Sequence, residues 1–313
     1  MSMRRFRIGT RTITDSSPCY VIAELGNNHG GDIALASRMI AAASACGAHA
    51  VKFQTRCNET LYSPTMLAQP YDHEHSFGKT YGEHRAALEL SQDELRLCNL
   101  GLERLGLDFI STAFDEASAS LLEGVGVDAF KIHSGGATDA PLLRSVSAYG
   151  RPVVLSTGGC TTADIEQAVS ILREKLPSDL IAVLHCTAAY PVRDWMELNL
   201  RCIETLREKY PDLVVGYSGH DNGIAMPIAA AAIGARIVEK HFTLDRSSKG
   251  TDHSFSLEPV GLRKMCRDLT RLHLALGDGK KVVYASEHGP IGKMRRHRQA
   301  DGSCRITGRF NED

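Results

Sequence analysis

The chain has 313 residues, of which 43% are hydrophobic, and its formal net charge is -1. This length suits one large α/β barrel or two medium domains, each with a buried core. A net charge close to zero argues against a general nucleic-acid-binding protein, and no apolar run reaches the roughly 18–20 residues that a membrane helix needs.

The nine cysteines occur singly, without a CxxC pair. This distribution is typical of reduced thiols in a cytosolic protein and not of a disulfide framework or a structural zinc site. The basic start, MSMRRFRIGTRTI, is not followed by an apolar segment, so it does not have the pattern of a signal peptide. We therefore expect a cytoplasmic protein that contacts neither a membrane nor nucleic acid.

The first predicted element is a small β-hairpin. Arg5–Ile8 and Arg11–Ile13 alternate polar and apolar residues on either side of Gly9-Thr10. Residues 1–19 are therefore assigned to a hairpin that precedes the main fold.

From residue 20 a strand followed by a helix recurs eight times. The predicted strands are Tyr20–Leu25, Ala48–Gln54, Leu107–Ser111, Ala129–His133, Pro152–Ser156, Ile181–Cys186, Leu213–Tyr217 and Arg236–His241. The predicted helices span about 32–46, 91–105, 115–125, 140–149, 161–175, 197–209, 222–233 and 258–276. Eight such units favour a (β/α)8 TIM barrel over residues 20–283. A doubly wound open sheet is the alternative, but the turn Gly26–Gly31 lacks the GxGxxG order of such sheets.

Two stretches fall outside this repeat. Residues 56–90 form the longest connection and contain three histidines and three tyrosines. A long loop at this face is often a lid or substrate loop, and disordered surface is the alternative. Residues 284–313 lose periodicity and are expected to form an irregular basic tail around Lys293–Arg298. A solvated tail is the default interpretation, and an arm that reaches an anionic ligand or a neighbouring subunit is the alternative.

Several predicted strands carry ionisable residues where an ordinary core would be apolar. Because successive strand residues point to opposite faces, residues two apart share a face. The residues concerned are Glu24, Lys52 with Gln54, Lys131 with His133, and Glu239 with His241. Buried Lys and Glu are costly unless they are paired or bound to a ligand. A structural ion pair would explain one of them, but the whole set predicts a site at the carboxyl ends of the strands.

The donors in this set indicate what the site binds. Lys52 and Lys131 supply positive charge, and hydroxyls follow the strand ends at Thr112, Ser134, Ser156, Thr157 and Ser218. The pairs Gly135-Gly136 and Gly158-Gly159 let backbone N–H groups approach a ligand closely. Together these residues predict a pocket for an anionic, phosphorylated small molecule.

Two histidines complete the predicted site. His220 follows the seventh strand and His241 ends the eighth. Neighbouring strand ends bring two imidazoles together, and such a pair can hold a divalent metal that keeps open positions. Two satisfied structural histidines are the alternative, but the ionisable residues around them favour the metal.

A series of motifs runs in one order from about residue 20 to 280. They are Val21–Asp32, Ala50–Thr55, Ile110–Phe114, Phe130–Gly135, Leu155–Gly158, Leu184–Thr187, Tyr190-Pro191, Gly216–His220, Glu239–Phe242 and Gly250–His253. Taken together, this series resembles the barrel domain of the N-acetylneuraminate (sialic acid) synthase family.

The resemblance implies a metal-dependent condensation of phosphoenolpyruvate (PEP) with the open-chain aldehyde of a sugar, often N-acetylmannosamine or a related amino sugar. The products would be a nonulosonic acid and phosphate, released by C–O cleavage. By position, His220 and His241 would bind the metal, usually Mn²⁺, with Mg²⁺ as the alternative. The residues implied to hold PEP are Lys52, Thr112, Lys131, Ser134, Ser156 and Ser218. Those implied to face the sugar or the metal-bound water are Glu24, Gln54, Tyr190 and Asp252, and Glu239 is a further catalytic candidate.

This sequence departs from the family pattern in three places. The family usually has an acidic residue at the position of Gly136, and often Asn or Ser at the position of Ala188. Most members also carry a C-terminal antifreeze-like domain, which supplies an arginine to the partner subunit and contributes to dimerisation. We therefore expect a retained donor half and a non-standard aldehyde acceptor. His133, residues 56–90 or the basic tail would then provide substitute contacts. Members of the family usually form homodimers, so the resemblance implies a homodimer, although the domain that contributes to dimerisation is one of the departures.

Two alternatives to this function stay open. A synthase of the 3-deoxy-octulosonate-phosphate type would act on a phosphorylated aldose and would need extra cationic residues in the pocket. A non-catalytic barrel would merely bind an acidic sugar or regulate a pathway.

Overall fold

The computed structural model describes residues 4–310, and the chain begins in it with an antiparallel hairpin. Its strands are β1 (Arg5–Ile8) and β2 (Arg11–Thr14). Gly9 lies at the turn with a φ of 51°, in the left-handed region that favours glycine. The predicted hairpin is therefore confirmed.

Eight parallel strands form a closed barrel. They are β3 (Tyr20–Gly26), β4 (Ala50–Thr55), β5 (Asp108–Ala113), β6 (Ala129–Ile132), β7 (Val153–Ser156), β8 (Ile181–Cys186), β9 (Val214–Gly219) and β10 (Ile237–His241). Each strand pairs with the next in chain order, and β10 pairs with β3 to close the ring. The predicted TIM barrel is confirmed, and closure excludes the open sheet.

Helices cover the outside of the barrel. The longer ones are α1 (Ile33–Cys46), α5 (Gln92–Leu105), α6 (Glu116–Val125), α7 (Ala140–Ala148), α8 (Thr162–Arg173), α9 (Cys202–Lys209), α10 (Ala225–Ala232) and α11 (Pro259–Leu276). The short helices between α1 and α5 are α2 (Asn58–Leu61), α3 (Pro64–Leu67) and α4 (Tyr81–Ala86). No helix within residues 4–310 is long and apolar enough to cross a membrane.

Two hydrophobic clusters hold the barrel together. The larger one packs the outward-facing strand residues against the helices, for example Val51 and Phe53 with Met39 of α1. The smaller one fills the barrel interior at the amino ends of the strands. Its members are Phe6, Ile8, Ile13, Tyr20, Ile22, Ala50, Ile110, Ala129, Val154, Ala182, Leu184, Val214 and Ile237. The hairpin thus contributes to an apolar plug that closes one end of the barrel.

The helix predicted from residue 197 begins later than expected, at Cys202. Trp195–Leu198 form a 3-10 turn instead, and Asn199 interrupts the chain with a φ of 35°. The carbonyl oxygen of Leu198 lies 2.6 Å from His185 Nε2. Because a residue in the left-handed region cannot continue a right-handed helix, α9 starts only after Asn199.

Residues 56–90 are folded, so the alternative of a disordered surface is wrong. The Ser63 hydroxyl accepts the N–H of Met66 at the start of α3. Thr80 and Glu83 form a capping box at the start of α4. These Ser-Pro and Thr-x-x-Glu patterns are helix start signals that the sequence already contained.

The residues from Leu276 onward form a second compact unit, and those up to Ala275 form the first. The second unit contains α12 (Ala285–Gly292) and the antiparallel strands β11 (Arg296–Arg298) and β12 (Cys304–Ile306). The expectation of an irregular tail is therefore wrong for these segments. The Glu287 carboxylate accepts the N–H of Tyr284 at 2.8 Å, which satisfies a donor at the helix start.

Candidate active site

A cavity of about 400 Å³ opens at the carboxyl ends of the barrel strands. The residues that the family resemblance nominates all line it. They are Glu24, Lys52, Gln54, Thr112, Lys131, Ser134, Ser156, Tyr190, Ser218, His220, Glu239, His241 and Asp252. Thr157 does not line it: its hydroxyl donates to the carbonyl oxygen of Leu184 at 3.0 Å. The structure thus brings together side chains from seven strands and the connections that follow them.

Strand periodicity explains why these side chains meet. Ile22 and Ile237 belong to the apolar plug inside the barrel. Glu24 and Glu239 follow them by two residues on the same strands, so they project into the same interior nearer the carboxyl end. The register of β3 on β4 then places Glu24 directly beside Lys52.

Four buried charges form a network at the centre of the site. Lys52 Nζ lies 2.9 Å from Glu24 Oε2 and 3.6 Å from Glu239 Oε1. Lys131 Nζ lies 3.8 Å from the same Glu239 oxygen. The two lysines and two carboxylates together carry no net charge. Burial of such a network costs desolvation energy that pairing does not fully recover, so stability alone does not account for it.

Hydroxyl groups surround this network. Lys52 donates to Thr112 Oγ1 at 3.1 Å, and Lys131 donates to Ser156 Oγ at 2.6 Å. Ser218 donates to Glu239 Oε1 at 3.2 Å. Each lysine is therefore held in one position while it still borders the cavity, which suits it to hold an anion there.

The two carboxyl groups differ in their proton affinity. Burial alone would raise the pKa of Glu239, but Lys131 and Lys52 lower it to about 2. Burial raises the pKa of Glu24 above its ordinary value, and the adjacent Lys52 offsets only part of this. Glu239 therefore remains ionised at neutral pH, whereas Glu24 holds a proton more tightly than Glu239 does.

The imidazoles of His220 and His241 lie next to each other, with ring centroids 5.4 Å apart. His220 Nδ1 lies 2.9 Å from the carbonyl oxygen of Thr187, so it donates there and its Nε2 keeps a lone pair. His241 Nδ1 is buried without a hydrogen-bond partner, and the nearest carboxylate oxygen, on Asp252, is 3.7 Å away. Burial lowers the pKa of both rings to about 4, so both are neutral at pH 7.

These features fit a divalent metal held by two imidazoles. Neutral imidazole is the form that binds metals, and the unpartnered nitrogen of His241 is costly to bury without a ligand. Within residues 4–310 there is no group of three or more His, Cys, Asp or Glu side chains arranged around a metal position. Two protein ligands would leave most coordination positions open to a substrate.

The cavity also contains residues that the sequence did not nominate as site residues: Asn27, Arg56, Tyr71, Arg85, Cys186 and Thr251. Arg56 stacks on Phe114 with its guanidinium 3.7 Å from the ring centroid, and it pairs with Glu89 at 3.3 Å. Arg85 donates to Tyr81 at 2.9 Å and forms no salt bridge within 4.0 Å in the described part of the chain, although its charge helps lower the pKa of Glu89. Both arginines belong to residues 56–90. The unusual length of this connection was the sequence signal that could have identified them as site residues.

Comparison with known proteins is consistent with this geometry. The model of the NeuB family matches residues 39–281. The chain is 39% identical over 277 residues to the N-acetylneuraminate-9-phosphate synthase of Homo sapiens, covering 88% of this chain and 76% of that protein. It is 36% identical over 277 residues to the N,N'-diacetyllegionaminic acid synthase of Legionella pneumophila, covering 87% of this chain and 77% of that one.

A solved structure is similar as well. The N-acetylneuraminic acid (sialic acid) synthetase of Leptospira borgpetersenii, crystallised in complex with citrate, superposes with a TM-score of 0.79 at 34% sequence identity. The superposition covers 91% of this chain and 94% of that chain.

Proposed function

The chain belongs to the NeuB family, and from this premise we propose that it is a PEP-dependent synthase that forms a C–C bond. It condenses PEP with the open-chain aldehyde of a sugar to give a nonulosonic or related ulosonic acid and phosphate. The observation that carries the proposal is the buried network of Lys52, Lys131, Glu24 and Glu239 beside two neutral imidazoles at one rim.

Lys52 and Lys131 bind the donor in this proposal. PEP carries up to three negative charges on its phosphate and carboxylate, whereas the network alone is neutral. Both ammonium groups border the cavity and are positioned by Thr112 and Ser156. Ser134 and Ser218 also line the cavity and add hydroxyl groups. Fixed donors of this kind stabilise charge that moves during the reaction, because they need no reorganisation.

His220 and His241 are the residues that would hold the divalent cation, Mn²⁺ or Mg²⁺, that enzymes of this family need. When bound, the cation supplies Lewis-acid stabilisation of the negative charge that develops on the aldehyde oxygen. Tyr190 packs on His220 with ring centroids 4.2 Å apart, and Phe255 packs on His241 at 5.0 Å. These contacts fix the direction in which both imidazoles face.

Glu24 moves the proton in this proposal. Attack by the enol carbon of PEP leaves its neighbouring carbon cationic, and water then adds to that carbon. Gln54 donates to Glu24 Oε1 at 2.7 Å and so orients the carboxyl group. The raised pKa of Glu24 suits a group that takes a proton from this water. Asp252, beside His241, is the second carboxylate at the rim.

The acceptor carries an anionic group in a second form of the proposal. Lys52 and Lys131 are paired with the two glutamates, and Arg56 is paired with Glu89. Among the lysines and arginines that line the cavity in the described part of the chain, this leaves Arg85 without a salt bridge. A guanidinium without a salt bridge is well suited to bind a phosphate group. The test therefore includes a phosphorylated amino sugar and a phosphorylated aldose.

The test is aldose-dependent release of phosphate from PEP in the presence of Mn²⁺, followed by mass spectrometry of the product. The acceptors are N-acetylmannosamine, its 6-phosphate and D-arabinose 5-phosphate. We expect phosphate release with at least one sugar, and a product whose mass equals the sum of both substrates and water minus phosphoric acid. Phosphate release without any sugar would indicate a phosphatase, and no release with any sugar would support a non-catalytic barrel.

A further inference from the structure

His133, the residue after β6, has its ring directly over two glycines. A Cβ atom at Gly135 would lie 3.0 Å from His133 Cε1, and one at Gly136 would lie 3.2 Å from His133 Nε2. These distances are tighter than ordinary van der Waals contacts. The imidazole therefore occupies space that a side chain at position 136 would need.

The ring of His133 is fixed from a second side by Phe114. The two rings stack with centroids 4.2 Å apart and planes 21° apart. Phe114 also contacts the Arg56 guanidinium, 3.7 Å from its ring centroid. Phe114 thus links His133 to the cation that follows β4, and the imidazole is held in one orientation at the cavity wall.

The nitrogen atoms of this ring remain available to a ligand. His133 lines the cavity together with Lys131 and Ser134. Neither ring nitrogen has a hydrogen-bond partner among residues 4–310, and the ring is only partly buried. Burial and the nearby charges of Lys131, Arg56 and Lys52 lower the pKa of His133 to about 3, so the ring is neutral at pH 7.

Resting on the proposed function, we infer that His133 determines acceptor specificity by hydrogen-bonding an uncharged polar group of the sugar, a hydroxyl or an acetamido group. A neutral imidazole offers one donor and one acceptor, which match both groups. A carboxylate at position 136 would offer acceptors only and would attract a cationic amino group. Compared with the acidic residue that the family resemblance implies at this position, Gly136 carries no charge, and the adjacent His133 offers a donor and an acceptor at the cavity.

The inference is tested by initial rates of phosphate release with Mn²⁺ and the sugar among N-acetylmannosamine, its 6-phosphate and D-arabinose 5-phosphate that gives the highest kcat/KM. We expect His133→Ala to raise the KM for that sugar about three- to tenfold, as for loss of one uncharged hydrogen bond. The KM for PEP should stay within twofold. His133→Asn, which keeps a donor and an acceptor, should restore part of the loss.

The close packing of the His133 ring on Gly136 allows a second, independent test. Gly136→Ala crowds the ring and should raise the same KM, whereas His133→Ala/Gly136→Ala should be no worse than His133→Ala alone. His273→Ala, on the outer helix α11, is the matched control and should change neither KM. Circular dichroism checks that each variant folds. If His133→Ala does not fold, the KM values of His133→Asn and Gly136→Ala provide the test.

Two outcomes would overturn the inference while leaving the proposed function intact. The KM for the sugar could stay within twofold in His133→Ala, or the KM for PEP could rise by the same factor as that for the sugar. By contrast, a wild-type protein that releases no phosphate with any of the three sugars would overturn the proposed function itself, and the inference with it.

Discussion

The two ends of the barrel interior are built by the same eight strands but differ in chemistry. At the amino end, residues such as Ile22 and Ile237 form an apolar plug with the hairpin. Two residues further along the same strands, Glu24 and Glu239 belong to a buried network with lysines. One step of the strand period therefore separates a region that stabilises the fold from a region that carries the proposed chemistry.

This difference teaches where the fold gains and loses stability. Burial of apolar side chains at the amino end is favourable in proportion to the area removed from water. Burial of four charges at the carboxyl end is unfavourable unless pairing and hydrogen bonds offset it. We therefore expect substitutions in the plug to change stability without changing kinetics, and substitutions in the network to change kinetics.

The largest expected effect belongs to the plug. Phe6 of the hairpin is fully buried there, so Phe6→Ala should destabilise the protein by about 3–5 kcal/mol. The measurement is urea unfolding, with the exposed Leu274→Ala as control. The folded fraction should keep its kcat and both KM values. A variant with wild-type stability, or a folded variant with low kcat, would contradict the separation of the two ends.

Loss of a network lysine should affect catalysis at a comparable scale. Lys131→Met removes a donor next to Glu239 and Ser156, and kcat should fall about 10²–10³-fold, as for loss of one fixed transition-state donor. Stopped-time phosphate assays give kcat, and Lys175→Met on the exposed surface is the control. A decrease below fivefold would place the chemistry elsewhere.

Substitution of Arg85 should have a smaller effect than loss of a network lysine. Arg85 borders the cavity from the connection after β4 and not from a strand. Arg85→Gln should lower kcat/KM about 10- to 100-fold for a phosphorylated acceptor, the range for a hydrogen bond to a charged group. The value for the unphosphorylated form of the same sugar should change less than twofold. Competition assays with both sugars give the ratio, with the exposed Arg104→Gln as control. Equal losses for both sugars would exclude phosphate recognition by Arg85.

The smallest expected effect is a pH dependence at the amino end. The Val21 N–H donates to His49 Nδ1 at 3.0 Å, and burial lowers the pKa of His49 from 6.5 to about 4. Between pH 6.5 and pH 4 the unfolded chain binds a proton on His49 that the folded chain does not bind. The contribution of His49 to the free energy of unfolding therefore decreases as pH falls. From pH 7 to pH 5 this effect should lower the free energy of unfolding by about 1–2 kcal/mol.

His49→Asn tests this effect because asparagine can still accept the Val21 N–H but does not titrate. The free energy of unfolding, measured in urea at pH 7 and pH 5, should fall less in the variant than in the wild type. Equal decreases would show that His49 titrates normally in the folded protein.

Much of the barrel could be predicted from sequence because its signals are local and repeated. The eight strands lie within two residues of their predicted starts, and the closed barrel and the family resemblance are both confirmed. The period of two also brought Glu24, Lys52, Lys131 and Glu239 to one rim, as parallel strands require. The catalytic and binding roles of these residues remain predictions.

The parts that sequence could not place depend on tertiary contacts. Arg56 and Arg85 reach the cavity because residues 56–90 fold into short helices, and no periodicity predicts where such a connection packs. The late start of α9 follows the left-handed backbone of Asn199 and the contact between His185 and Leu198, and neither is visible in the sequence pattern. The packing of the His133 ring on Gly135 and Gly136 likewise cannot be inferred from the sequence and appears only in the structure.

The central claim is that the rim gathers one anionic donor and one cation between two lysines and two imidazoles. A crystal structure with PEP and Mn²⁺, with diffraction data collected at the manganese edge, tests it most directly. We predict PEP in contact with Lys52 and Lys131, and an anomalous peak at bonding distance from both His220 and His241. A fully formed rim without PEP, or manganese bound away from these two imidazoles, would contradict the account.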